Sequence, residues 1–242
     1  MLSVVVRRWA AWTPGLERLD DWERWCRVPT ALGAEGAPEL PFLPPLFRRR
    51  CSRLSRLMLH AAYAACEPDD VSALPAVFAS RFGELGLTVS LLESLARKEP
   101  LTASGFTHSV HNTQIGLFSI AAKNRRMASA LAAGAETFPY AVIEALASIE
   151  RAGGGPALVV IGDEPLPAAL EAFEGDGTAY ALALVIARAG DGPRVRFAPA
   201  AAAEIPAEPR WPQALEFLRW LLSDEPSITL GDSGRGFTWT RA

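Results

Sequence analysis

Covalent or acid–base chemistry needs side chains that titrate, attack or coordinate, and this chain holds few in suggestive positions. There are three histidines, His60, His108 and His111. The last two lie in the run GFTHSVHNTQIGLFSIAA, where polar and small residues interrupt an apolar background just before an expected helix. A strand-to-helix junction at that place would put side chains at a helix N-terminus, where backbone N–H groups and the macrodipole stabilise negative charge. Several enzyme folds set a nucleophile on such a turn. No nucleophile is evident, however. Ser109 lacks a GxSxG frame, and Cys26, Cys51 and Cys66 lie far away in sequence. Zinc at His108 and His111 would need a third ligand, and no neighbour has a recognised spacing. Read from the residues alone, the turn packs and caps a helix through Ser109, Asn112 or Thr113. His60, inside a long helical pattern, reads as structural. Asp163 and Glu164 form the best carboxylate pair, but neighbours on a strand point to opposite faces, so they read as the start of a loop.

The elements that would carry these residues alternate in type. Residues 3–9 read as a β-branched strand, followed by a tryptophan- and proline-rich stretch expected to be irregular cover. Residues 46–66 form the clearest helical pattern, with Leu54, Leu57, Met58, Ala61 and Ala65 on one face. Arginines at 48, 49, 50, 53 and 56 crowd its first half, against the macrodipole; they read either as a solvated face or as a surface for an acidic partner. Strands are expected at 73–80, 126–133 and 157–162, and helices at 82–98, 113–122 and 137–151, the last stopped by Gly153–Gly155. A strand at 179–188, an antiparallel edge at RVRFAP, a helix at 211–222 and a final strand at FTWTR complete the pattern. GDSGRGF reads as a hairpin turn. Neither GxGxxG nor GxxxxGK[ST] occurs. Apolar strands alternating with amphipathic helices predict a three-layer α/β fold with a mixed, largely parallel sheet.

Composition sets outer bounds. The 242 residues are 50% hydrophobic and 21% charged, as in ordinary globular chains, and this excludes a largely disordered protein. The net charge of −3 gives no basic field for nucleic acid. Positive charge is almost all arginine, with Lys98 and Lys123 the only lysines. Three cysteines without CxxC spacing argue against a disulfide framework or zinc ribbon. The longest apolar stretch, Ala179 to Ala187, is far short of the ~20 residues of a membrane helix. The early apolar run breaks at Arg7 and Arg8 instead of following them, unlike a signal peptide. A cytoplasmic protein without membrane insertion is expected.

Three blocks, FRRRCSRLSRLMLHAAYAA, LPAVFASRFGEL and SVHNTQIGLFSI…ALAAGAETFPYAVIEAL, resemble in order and spacing the β-ketoacyl synthases of fatty-acid and polyketide assembly. The closer resemblance is to the short synthase-like proteins described as chain-length factors of aryl polyene and related pigment systems. It covers about residues 45–162, with a variant part at 163–242, in one domain spanning 1–242. It implies one half of a thiolase-type fold. Active synthases carry a nucleophilic cysteine in a pattern like V-D-T-A-C; the matching run here is Val110, His111, Asn112, Thr113 and Gln114. The resemblance thus puts Gln114 at the nucleophile position, with His111 and Asn112 in a degenerate site. The histidines or lysine that synthases use from the second half are absent, because no histidine follows His111 and no lysine follows Lys123.

The resemblance implies a subunit that is not catalytic alone. It would need no cofactor and would pair with an active β-ketoacyl synthase, meeting an acyl carrier protein through that partner. His108, Val110, Ile115 and Phe118 are the expected interface residues, in a run from Gly105 to Ala122 free of formal charge. The alternative is a decarboxylating priming enzyme, in which Gln114 and the helix N-terminus stabilise the enolate left by a malonyl thioester.

Overall fold

The computed structural model describes residues 1–67, 71–173, 177–201, 211–232 and 234–242. Its strands are β1 (Leu2–Trp12), β2 (Ala76–Ala79), β3 (Ala128–Leu131), β4 (Ala157–Asp163), β5 (Tyr180–Ala187), β6 (Arg194–Pro199), β7 (Ser227–Asp232) and β8 (Arg235–Arg241). They form one sheet in the order β3-β2-β4-β5-β1-β6-β8-β7. The helices are α1 (Leu19–Arg27), α2 (Pro45–Arg48), α3 (Arg53–Ala65), α4 (Leu85–Ala96), α5 (Ala103–His108), α6 (Thr113–Ala121), α7 (Thr137–Arg151) and α8 (Gln213–Leu221).

The alternation of side chains along the central strands sorts the core into two layers. Val159 and Ile161 of β4 with Leu182, Leu184 and Ile186 of β5 face α7 and α8, joined by Trp22 and Trp25 of α1. Leu158 and Val160 with Ala181, Ala183 and Val185 face α3 and α6. The small residues on that second face let α3 come close. A Cβ added to Gly162 would stand 3.0 Å from Met58 Cγ and 2.7 Å from the Tyr180 carbonyl, so that position on β4 has no room for a side chain. Three layers are present, as the alternation predicts.

The sheet is mixed, but it is not largely parallel. Among the described residues only β2–β3 and β2–β4 pair in parallel. The pairs β4–β5, β5–β1, β1–β6, β6–β8 and β8–β7 are antiparallel. The unbroken apolar run of β5 reflects helices over both faces, and such burial looks the same in sequence whichever way the neighbours point. The first strand joins the expected sheet through β5 and β6.

Two local expectations also change. Residues 46–66 are not one helix, because Ser52 caps α3 by accepting from the Ser55 N–H at 3.0 Å. Arg48, Arg49 and Arg50 therefore precede α3, and the macrodipole conflict is confined to Arg53 and Arg56. The tryptophan-rich stretch is not irregular throughout: it contains α1, which buries Trp22 and Trp25 against the α8 side of the sheet. The GDSGRGF run does join two antiparallel strands, with Asp232 opposite Arg235; its Ser233 lies outside the described residues. Among the described residues no helix is long and apolar enough to cross a membrane.

Candidate functional site

Parallel strands β2 and β4 end side by side, and the loops beyond their C-terminal ends build a polar interior. Asp163 ends β4, and Ser80 directly follows β2. The Asp163 carboxylate accepts from Ser80 Oγ at 2.6 Å, from the Arg81 N–H at 3.2 Å and from the Phe82 N–H at 3.1 Å. Ser80 Oγ in turn accepts from the Gly83 N–H at 2.7 Å. Asp163 is thus the last residue of a strand and a buried clamp on the β2–α4 loop, where the sequence reading has only a loop start.

That loop leads into Glu84, the N-cap residue of α4. Its carboxylate is 5% exposed, and one oxygen, Oε1, receives Ser52 Oγ at 2.5 Å, Gln114 Nε2 at 2.6 Å and Ser55 Oγ at 3.3 Å. Ser52 stands at the N-terminus of α3 and Gln114 in the first turn of α6, so three helix N-termini converge on one carboxylate. Burial raises the Glu84 acid above its ordinary range, and the three hydrogen bonds oppose that rise without cancelling it.

The junction before α6 is not strand-to-helix. Helix α5 precedes it, and a four-residue turn connects the two helices. Within the turn Ser109 Oγ donates to the Phe106 carbonyl at 2.9 Å, and Thr113 Oγ1 donates to the His108 carbonyl at 3.0 Å. Asn112 holds the N-cap position of α6 but makes no side-chain cap and is exposed, which leaves that part of the capping expectation unmet. His111 Nε2 lies 3.0 Å from the Ser80 carbonyl, and its ring covers Gly83, whose φ of +60° and 2.9 Å approach leave no room for a Cβ. His108 Nδ1 instead lies 3.5 Å from Ser104 Oγ. The two histidines therefore serve different neighbours and make no metal pair; among the described residues no group of three His, Cys, Asp or Glu side chains could hold a metal. His60 lies on α3, where burial lowers its pKa, in keeping with a structural role.

Of the expected interface residues, Val110 is exposed and His108 half-buried, but Ile115 and Phe118 are packed in the chain's own core at 6% and 1% exposure. Their burial follows from α6 lying over β2 and β3 and packing the Phe118 ring against Phe78 in a tilted contact. The large apolar side chains left open nearby are Phe106, at 68% exposure, and Ile120, at 65%, with Leu92 and Leu95 on α4.

A cleft of about 220 Å³ opens beside Glu84, lined by Arg53, Phe82, Gly83, Leu85, Gly86, Glu164 and the turn 165–167. Arg53 Nε donates to the Gly36 carbonyl at 2.7 Å and keeps Glu164 at 3.6 Å as a looser ion pair. Burial pushes the Glu164 acid up to about 6, Arg53 holding it down and Glu84 and Asp163 adding to the rise. None of the three thiols is activated. Burial raises Cys51 and pushes Cys26 and Cys66 up to about 11, whereas a nucleophilic cysteine needs the opposite shift. Sequence reasoning missed Glu84 and the partners of Asp163. The only available signal was the place of Asp163 at the end of the apolar β4 run; nothing in the sequence marked Glu84, which follows β2 by five residues at the start of α4.

A family model described as "Beta-ketoacyl synthase, N-terminal domain" matches residues 22–240. Among solved structures, a chain of the complex of ketosynthase ApeO with its chain length factor ApeC from Xenorhabdus doucetiae superposes with TM-score 0.86 at 26% identity, covering 100% of both chains. The ishigamide ketosynthase/chain length factor gives TM-score 0.72 at 13% identity, over 99% of this chain and 98% of that one. A β-ketoacyl synthase from Burkholderia phymatum STM815 gives 0.61 at 14% identity, over 83% of this chain and 65% of its own. No curated protein matches the chain. The architecture is the thiolase-like α/β fold of the ketosynthases.

Proposed function

The chain belongs to the β-ketoacyl synthase family, N-terminal domain, and from that premise we propose that it is a chain-length-factor-like subunit without catalysis of its own. In this reading it pairs in the cytoplasm with an active β-ketoacyl synthase and shapes the acyl tunnel of that partner, in polyketide-type assembly of the aryl polyene kind. An acyl carrier protein is engaged through the partner. The observation that carries the reading is the missing nucleophile. The end of α5 and the turn ahead of α6 offer His108, His111 and Asn112 but no thiol, Gln114 is committed to Glu84, and the thiols elsewhere are raised by burial. The similarity to ketosynthase and chain length factor complexes supports a synthase as the partner.

A pairing surface of matching character lies nearby. β3 is an edge strand of the sheet, short and built of Ala, Ser, Ala and Leu, so its outer backbone groups are open to another strand. Beside it α6 exposes Ile120, and the preceding helices expose Phe106, Leu92 and Leu95. Obligate pairs of this kind bury ~2,000 Å² or more, with largely apolar contacts. The test is co-expression with a β-ketoacyl synthase encoded in the same genomic neighbourhood, followed by size exclusion with light scattering and a product-length assay. A stable one-to-one pair whose product length changes when this chain is left out is expected. A monomer beside a synthase that makes the same product alone would sink the reading.

A further inference from the structure

We propose that the polar pocket between the N-termini of α3 and α6 is a carboxylate-binding site that Glu84 of the same chain fills. Its three side-chain donors, from Ser52, Ser55 and Gln114, all converge on one oxygen of the Glu84 carboxylate. Ser55 and Gln114 are buried at 0% and 2% exposure, so the donors do not serve solvent. Buried donors aimed at a single point are costly to leave unpaired, and helix N-termini on the same point favour a negative occupant. Glu84 supplies that occupant from the loop after β2, at the high effective concentration of a tethered group.

The consequence reaches the other reading of this site. A malonyl carboxylate, or an enolate oxygen held by Gln114, would have to displace the Glu84 carboxylate from its three donors. The Glu84 side chain thus closes Gln114 to a substrate acid and sets it as a strut between α4 and α6. A cleft lies next to the site, lined by Gly83, Leu85 and Gly86, the neighbours of Glu84, and by Arg53. The inference rests on the geometry of the isolated chain and stands apart from any pairing with a synthase.

Removing the tethered carboxylate tests it, with formate as the probe. The purified full chain carrying Glu84→Ala is melted in sodium formate and in sodium chloride at matched ionic strength. The variant is expected to melt below the wild type in chloride and to regain roughly half of that loss in saturating formate. The wild type and the Glu84→Ala/Gln114→Ala double variant should respond to formate no more than to chloride. Glu84→Gln, which keeps the volume and an acceptor oxygen, should likewise ignore formate. If Glu84→Ala does not fold in chloride, its refolding from urea in formate is the same readout, and no recovery overturns the proposal. Formate raising the wild type equally, or leaving Glu84→Ala unmoved, overturns it as well.

Discussion

The two lysines of the chain share an unusual backbone state. Lys98 and Lys123 have φ of +58° and +52°, the only positive values among described residues other than glycine. Each follows the C-cap residue of a helix, Arg97 of α4 or Ala122 of α6, and the helix closes with the same pair of bonds. The Lys98 N–H reaches Leu95 and Glu99 N–H reaches Ser94, while the Lys123 N–H reaches Ile120 and Asn124 N–H reaches Ser119. Helix α7 ends the same way with Gly153, as its sequence announces, and pays no Cβ penalty. Lys98→Gly and Lys123→Gly should therefore each stabilise the chain by about 1 kcal/mol or slightly less, a rise of roughly 2–4 °C in a melting scan. Glu164 gives a prediction of different sign. Its acid is raised from 4.5 to about 6, so the folded chain binds its proton more tightly than the unfolded chain does. That contribution is complete below pH 4.5 and is lost as the pH climbs through 6. Glu164→Gln removes the dependence. Chemical denaturation of the two proteins should show the variant gaining on the wild type by about 1–2 kcal/mol between pH 4 and pH 7.5. A difference independent of pH contradicts this account of the cleft.

Among the elements, α4 and α6 make the clearest contrast. Both are strongly apolar, yet α6 buries Ile115, Leu117 and Phe118 while α4 has no residue in the core. Leu92 and Leu95 of α4 are exposed and its other large apolar side chains half-buried, next to α5 with exposed Phe106. An Ile115→Glu substitution would put an unpaired carboxylate into the chain's own core and would report on folding instead of pairing. Ile120→Glu, on the exposed side of the same helix, separates the two effects. It should leave the melting temperature of the single chain within a few degrees of the wild type. In the co-expressed pair it should weaken association by several kcal/mol, seen as loss of the one-to-one species in size exclusion. Unchanged pairing would remove α6 from the interface.

At the scale of the molecule, the chain places a ketosynthase-like frame around a site without an activated nucleophile. Incubation of the full chain with acyl-carrier thioesters, followed by intact-mass measurement, should show no covalent acyl adduct. One acyl group per chain on Cys26, Cys51 or Cys66 would contradict this. The frame itself holds because the two faces of the sheet are filled differently. Phe138, Phe197, Phe217 and Trp239 pack together on one side, with ring centroids 4.4 to 5.4 Å apart in four pairs. Leucines and alanines of α3 close the other side.

The sequence by itself determined most of the elements and the absence of an obvious nucleophile. Periodicity and punctuation mark α7 with its Gly153 stop, the apolar strands β4 and β5, and the α6 pattern, because these depend on neighbours along the chain. The three ordered blocks also pointed to the family. Strand direction was not legible: β5 is covered on both faces, and an apolar run carries no sign of parallel or antiparallel neighbours. Nor was the site. Glu84 meets Gln114 across 30 residues and Ser52 across 32, and Asp163 meets Ser80 across 83. Nothing local marks such partners, since an acid on a loop reads as solvated until the fold removes the water around it. Only the tertiary structure decided that Glu84 is a buried acceptor and Ile115 a core residue, because both depend on which surfaces the helices cover after the sheet has formed.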